Sequence, residues 1–497
     1  MCGICGQFRF DGENVSPKSL TSMMSKLARR GPDSNGKWLE SNIGFGHQRL
    51  SIIDLSSHGN QPMVDDLLKL TLVFNGTIYN YKSLRSELIG KGYSFSSHSD
   101  TEVIIKAYHY WGEDCVKYLD GMFAFCMWDK SNQKLFIARD RIGIKPLYYN
   151  LSNKAFTFAS NSQALLTQEL DKSVNPISLQ QQLSLHGVVP APNTVINGIQ
   201  KVKPATVITI NTKGILKEKT YWHPNANRSK RNLSDEDYIE KAHELLTAAV
   251  TKRMAAADVP IGVLLSGGLD SSLLVALLKE AGHEDIRTFS IGFEDIENEA
   301  GSEFEYSDQI VSKFKTQHQK YVVSNAEVLP RLSEAVMNMA EPMVGQDAVA
   351  FYLLSEQVSK HIKVVLSGQG ADEAFAGYFW YPRMATEKGD EIERFSKHYL
   401  DRPHEEYLQA VMPTYQGDNH TSNWLNKEFA KTGADSFIDK VFRTDITKLI
   451  VDDPVKRVDN MTMAWGLEAR VPFLDTALVE WALKMPANLK MKQDGKY

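Results

Sequence analysis

The stretch from Pro260 to Lys279 constrains the fold of this chain most. Pro260 to Leu265 is an apolar run of strand length, and Ser271 to Lys279 is mainly apolar and suited to a helix. Ser266-Gly267-Gly268-Leu269-Asp270 must therefore turn the chain between them. A helix that begins just after such a turn aims unsatisfied N–H groups and its positive dipole end into the turn, which favours a phosphate there. Two glycines let the backbone approach that anion closely. The loop is neither G-x-x-x-x-G-K-[ST] nor G-x-G-x-x-G, since no lysine follows the glycines and their spacing differs. Asp270 is an unusual neighbour for phosphate unless a cation offsets its charge, and Mg²⁺ shared between the carboxylate and phosphate oxygens would do so. The plainer reading is a serine-rich turn capping a buried helix. Ser266, Asp270, Ser271 and Ser272 around the glycine pair weigh against it.

A chain of 497 residues has room for two or three domains, each with its own core. A net charge of −5 argues against a general nucleic-acid or membrane binder. No apolar run reaches membrane-spanning length. The N-terminus, Met-Cys-Gly-Ile-Cys-Gly, lacks the basic region and hydrophobic core of a signal peptide, so the expected compartment is the cytoplasm. Four cysteines, Cys2, Cys5, Cys115 and Cys126, are too few for a disulfide scaffold at this size.

Cys2 directly follows the initiator methionine, and so small a residue permits methionine removal. A free α-amino group, with a pKa of about 8, would then lie beside a thiol and could take its proton during attack on an amide carbonyl. Cys2 and Cys5 also spell C-x-x-C, which could be half of a zinc site or a redox pair. No second C-x-x-C or histidine cluster accompanies it. Further on, Arg29 to Asp33 reads as a turn, and Gly46 to Asp54 as a strand with one outward arginine, Arg49. Leu72-Val73-Phe74 reads as a strand running into Asn75-Gly76. An Asn side chain and a Gly N–H at a strand end can form an oxyanion hole, each donor contributing about 3 kcal/mol. Asp100 could hold a substrate's ammonium as Arg49 holds its carboxylate.

Ser-Gly-Gly-Leu-Asp-Ser-Ser at 266–272 resembles the pyrophosphate loop of the N-type ATP pyrophosphatases. Residues 1 to about 150 resemble the glutaminase domain of class II amidotransferases, through Met-Cys-Gly-Ile, Arg-Gly-Pro-Asp at 30–33, His-Gln-Arg-Leu-Ser-Ile-Ile-Asp at 47–54, Asn-Gly-Thr-Ile-Tyr-Asn at 75–80, Ser-Asp-Thr-Glu at 99–102, Gly-Met-Phe-Ala-Phe at 121–125 and Arg139 to Pro146. Together they identify a resemblance to the glutamine-dependent asparagine synthetase family. It implies two domains. The first is α+β, an αββα sandwich of the N-terminal-nucleophile type at 1–222. A linker at 223–236 follows, and then an α/β parallel-sheet synthetase domain at 237–497, read as cut short at its C-terminal end.

The same resemblance implies that Cys2 is the nucleophile and that Arg49, Asn75, Gly76 and Asp100 hold glutamine. Leu264, Ile291, Ser367 and Gly368 contact ATP, and the loop from Ser266 through Gly267, Gly268, Leu269, Asp270 and Ser271 to Ser272 receives pyrophosphate. It implies an ammonia passage with apolar walls between the domains, and it admits a homodimer. Thr77 departs from the glutamate that asparagine synthetases typically carry there. In the second half, Arg287 to Phe293, Lys320 to Val323 and Ile362 to Leu366 are β-rich runs separated by helical segments, the alternation of a parallel sheet whose ligands sit at the strands' carboxyl ends. Ser367-Gly368-Gln369-Gly370-Ala371-Asp372-Glu373 follows the last of these runs. Its Asp372 is a second carboxylate for Mg²⁺.

Gln369 replaces a glutamate that asparagine synthetases usually carry. With Ile291 to Glu294, Glu303 to Asp308 and Ala376-Gly377-Tyr378, this loop most resembles the branch of the family that amidates the dipeptide N-acetylglutaminylglutamine. The acceptor expected is therefore a dipeptide carboxylate, with aspartate as the alternative. Lys496 stands where the family has a catalytic lysine, but the helix that follows it in the family is absent from this sequence. A glutaminase-only regulatory protein is the reading that absence would favour.

Overall fold

The computed structural model describes residues 2–228, 233–296, 301–343, 345, 347–492 and 495–496, with the backbone alone for Lys492, Gly495 and Lys496. Its first half holds two six-stranded antiparallel sheets. One runs β10-β8-β9-β1-β3-β2, where β1 is Cys2–Arg9, β2 Ser34–Glu40, β3 Ile43–Arg49, β8 Tyr148–Leu151, β9 Ala155–Ala159 and β10 Gln200–Lys201. The other runs β12-β11-β7-β6-β5-β4, where β4 is Met63–Asp65, β5 Leu70–Ile78, β6 Gly121–Asp129, β7 Lys134–Arg139, β11 Thr206–Asn211 and β12 Leu216–Thr220.

Strand side chains alternate between faces. Ile4, Phe8, Phe45 and Phe158 of the first sheet therefore meet Val73, Cys126, Trp128 and Ile137 of the second in one buried layer. The helix Pro17–Ser25 covers the first sheet from outside, and Asp100–Trp111 covers the second. The result is the expected αββα sandwich.

The second half is built on one parallel sheet, β15-β14-β13-β16-β17, where β13 is Ile261–Leu264, β14 Arg287–Phe293, β15 Gln317–Val323, β16 Val364–Leu366 and β17 Glu468–Arg470. Both faces of its centre are buried. Val263, Leu265, Val364 and Leu366 pack with Leu246 and Leu274 on one face, while Leu264 and Val365 pack with Leu354 and Val358 on the other. That is why these strands read as continuous apolar runs rather than alternating ones.

Several boundaries differ from the sequence reading. The strand expected over Gly46 to Asp54 is β3, which begins at Ile43 and ends at Arg49; beyond it Arg49 bonds the turns that follow. Asn75 and Gly76 do not terminate a strand. They lie inside β5, because Asn75 and Gly76 stay in register with Ala124 and Phe123 of β6. The run Lys320 to Val323 begins earlier, at Gln317, since β14 pairs with it along its whole length. β17 is three residues long and carries two charges, so no apolar run announces it.

The proposed linker is also less free than its composition suggests. Ala226 bridges to Ala434, Asn227 and Arg228 bond the Asp435 carboxylate, and Asp235 and Glu236 already belong to the helix Asp235–Ala255, capped by Ser234. Residues 229–232 of that segment lie outside the described ones.

Candidate active sites

The first site sits at the start of β1. Cys2 faces Arg49 across the β1–β3 register and is 7% exposed. Its backbone N–H, the nitrogen that becomes the α-amine once methionine is removed, donates to Asn75 Oδ1 at 3.0 Å. Asn75 is fully buried, and its Nδ2 has no hydrogen-bond partner. A buried orphan donor costs free energy unless a ligand uses it; this one sits on the amide that receives the Cys2 N–H, and Asn75 itself is not among the residues that line the cavity at Cys2. Gly76 continues the strand with φ +154°, and a Cβ there would lie 2.1 Å from the Met122 carbonyl oxygen. Only glycine lets β5 pass that close to β6.

Cys2, Arg49, Gly76, Thr77 and Asp100 line one small cavity of about 30 Å³. Asp100 begins the helix Asp100–Trp111, which Ser99 caps, and accepts the Ile78 N–H at 3.0 Å. Burial pushes its carboxyl up to about 6, the Ile78 bond opposing. A cation delivered by a ligand would restore its charge. Burial likewise raises the Cys2 thiol, against the positive charge at the chain's start, a Leu50 backbone bond and Arg49. Its proton must therefore leave to a base during attack rather than beforehand.

Arg49 holds the loop that closes this cavity. Its guanidinium donates to the Ser56 carbonyl at 2.9 Å, to Asn60 Oδ1 at 2.7 Å and to the Asp54 carbonyl. A substrate carboxylate would compete with those bonds, and a cavity that admits little more than a water must open to take an amino acid.

Cys2 and Cys5 do not form a chelating pair. An odd spacing on a strand sends them to opposite faces, and Cys5 packs against Met24 and Leu27. All four cysteines are free, and among the described residues no group of three metal ligands occurs.

Residues that carried no assigned role in the sequence reading tie this site to the second half. Thr77 Oγ1 donates to Glu468 Oε1 of β17 at 3.2 Å, and Arg470 Nε pairs with the same oxygen at 2.5 Å. Arg30 Nε reaches the Cys2 carbonyl at 3.4 Å while its Nη1 meets Asp459 at 2.8 Å; Lys145 holds the other Asp459 oxygen at 3.3 Å. All are buried. Burial would raise the Glu468 carboxyl, but the chain's first positive charge, Arg470 and Lys145 outweigh it and hold it at about 2.

The second site lies at the carboxyl end of the parallel sheet. After β13 the chain turns at Gly267, φ +91°, where a Cβ would lie 2.5 Å from the Ser307 nitrogen, and enters the helix Leu269–Glu280. Ser266 and Ser271 hydroxyls meet at 3.1 Å, Gly268 N–H donates to Ser266 Oγ at 3.2 Å, and Ser272 Oγ donates to the Gly268 carbonyl at 2.8 Å.

A cleft of about 540 Å³ opens over this loop. Leu264, Ser266, Gly268, Asp270, Ser271, Ile291, Ser367, Gly368 and Asp372 line it, with Gln369 beside them. Phe289, Phe293, Phe304 and Phe351 supply apolar walls that sequence reasoning missed. Gly267, Leu269 and Ser272 shape the turn without lining the cleft, and Leu269 is 60% exposed. Asp270 and Asp372 stand on two loops of one cleft, a donor set that suits Mg²⁺, which takes one or two carboxylates and completes its shell with phosphate oxygens and water. The Lys496 backbone pairs with Met491 in a short hairpin; its side chain lies outside the described residues.

A sandwich with a cysteine at the head of its first strand, joined to a parallel sheet whose glycine-rich turn opens on a nucleotide-sized cleft, defines a glutamine amidotransferase fused to an ATP-using synthetase. Known proteins agree. Residues 1–222 match the family model of the glutamine amidotransferase domain, and residues 241–497 match that of asparagine synthase. Asparagine synthetase [glutamine-hydrolyzing] 1 of Bacillus subtilis is 33% identical across 99% of this chain and 82% of its own length. A putative asparagine synthetase of Methanocaldococcus jannaschii is 35% identical across 76% of each chain, and amidase chry2 of Gibberella zeae is 27% identical across 100% and 84%. The chain belongs to the glutamine-dependent asparagine synthetase family, ATP-using ligases that form amides with release of AMP and pyrophosphate. Among the described residues no helix is long and apolar enough to cross a membrane.

Proposed function

We propose that this chain moves ammonia from glutamine to the carboxylate of a dipeptide, N-acetylglutaminylglutamine, in the cytoplasm, with residues 1–222 and 237–497 as its two domains and 223–236 as their joint. Glutamine enters the first cavity with its ammonium on Asp100 and its carboxylate on Arg49. The amine of the matured Cys2 takes the thiol proton as sulfur attacks the side-chain amide, while Asn75 Nδ2 and the Gly76 N–H receive the developing oxyanion. The amine passes that proton to the amide nitrogen, ammonia leaves, and water hydrolyses the glutamyl thioester to glutamate and the free thiol.

In the second cleft the acceptor carboxylate attacks the α-phosphorus of ATP. Pyrophosphate departs into the turn from Ser266 to Ser272, and ammonia displaces AMP from the acyl adenylate. Mg²⁺ held by Asp270 and Asp372 would supply charge neutralisation at the phosphates. For the ammonia passage, Val458, Leu467 and Ala469 offer apolar walls. They share one buried cluster with Leu264 and Phe289 of the nucleotide cleft, and Leu467 and Ala469 flank the Glu468 that touches Thr77.

The observation that carries the choice of acceptor is Gln369 in the cleft wall. A neutral amide both donates and accepts, which suits an acceptor whose carboxylate is flanked by peptide groups. The test is AMP release with ammonium and each acceptor in turn. The dipeptide should outpace aspartate by at least about a hundredfold in kcat/KM. Preference for aspartate, the acceptor that the relatives' names imply, would return the chain to asparagine synthesis.

A further inference from the structure

A further cavity, about 730 Å³, lies along the seam between the two halves and shares no lining residue with either site above. Its walls come from Arg141 after β7, Ala191 before and residues 203–205 after β10, residues 220–224 and the helical region 424–448. Five lysines and arginines face it, Arg141, Lys203, Lys431, Arg443 and Lys448, against one carboxylate, Glu428.

Local pairing leaves most of that charge uncompensated. Lys431 pairs with Glu428 and Lys203 with Glu218, but Arg443 spends its donors on the carbonyls of Glu428, Lys431 and Thr432, and Arg141 on those of Lys117 and Leu119. Carbonyls satisfy N–H donors without neutralising a guanidinium. The Lys448 ammonium makes no hydrogen bond or ion pair among the described residues. Burial holds its ammonium below the ordinary lysine range, with Lys431 and Lys203 adding to that and Glu428 opposing. Cations gathered from both domains into one recess, at a cost in self-repulsion, are the arrangement that concentrates an anion.

Two indoles complete the recess. Trp222 and Trp424 line it, and Trp222 is fixed by its Nε1–H to Glu480 at 2.7 Å. Aromatic faces beside cations suit a flat ring that carries an anionic tail, and the volume falls within the range of small-molecule sites. We propose that this seam is a second ligand site, for a phosphorylated compound bearing a planar ring, the chemistry of a nucleotide. Bound there, the ligand would bridge the two halves without entering either catalytic cavity.

The test uses the full chain and reads Lys448 directly. Limiting acetic anhydride acetylates accessible amines, and the Lys448 peptide is quantified by mass spectrometry with GMP, inorganic pyrophosphate or guanosine present. GMP at ten times its Kd should slow Lys448 acetylation about tenfold, pyrophosphate less, and guanosine not at all. Lys203→Gln with Lys431→Gln should abolish the protection while leaving the unfolding temperature unchanged. Absence of protection by GMP, or protection that survives in the double variant, overturns the site. Equal protection by guanosine overturns the phosphate assignment, and equal protection by pyrophosphate overturns the ring.

Discussion

The two catalytic cavities differ most in enclosure. Around Cys2 the space is about 30 Å³, with Cys2 7% and Asp100 4% exposed; over the glycine-rich turn it is about 540 Å³, with Ser266 and Gly268 open to solvent. On the proposed assignment, the closed site is where ammonia is released, a small nucleophile that water would protonate and carry away. On the same assignment, the open one has to admit a nucleotide and an acceptor together. Enclosure also has a different origin at each site, since the walls of the first are locked by Glu468 and Asp459 from the other half of the chain, whereas the second is built within its own sheet.

The comparison can be broken most severely at Cys2. Cys2→Ala should reduce glutamate release by at least about a thousandfold and leave ammonia-dependent AMP formation measurable; loss of both would show that the sites are not separable. Asn75→Ala should lower kcat for glutamine hydrolysis by about 10²–10³, again sparing ammonia-dependent synthesis. A glutaminase that keeps its kcat would remove Nδ2 from the oxyanion site.

Asp459→Asn tests the lock itself. It leaves Arg30 and Lys145 buried without their carboxylate and should cost about 3 kcal/mol in denaturant unfolding, with both activities falling together. A loss confined to glutaminase would mean that the ion set serves one cavity only. The smallest effect is in pH. Asp100, raised to about 6, is ionised above that value, the form in which the proposed mechanism has it hold glutamine's ammonium; below it the proton displaces that charge. The glutamine KM should rise about tenfold per pH unit below about 6, while the ATP KM stays level. Asp100→Asn should flatten the profile.

Much of the second cavity was legible in the sequence because its parts are local. The strand, turn and helix from Ile261 to Glu280 lie within two residues of where apolar runs and glycines put them, and β14 spans Arg287–Phe293 as read. Cys2, Asn75 and Asp100 could be named from motifs. Their distances could not, because β1, β5 and the helix at Asp100 meet only through the sandwich. The lock between halves was illegible for a simpler reason. Arg30 and Asp459 are 429 positions apart, and Thr77 and Glu468 are 391. A charged residue read alone looks like surface, and only its distant partner makes it interior.

β1 is flanked by β3 and β9, so its sheet cannot close until Ala159 has left the ribosome, which takes on the order of ten seconds at ordinary synthesis rates. The Cys2 N–H meets Asn75 only when β5 of the other sheet docks against β1. On the mechanism proposed above, an initiator trimmed before that docking leaves the Cys2 amine free to find Asn75 as the sandwich forms.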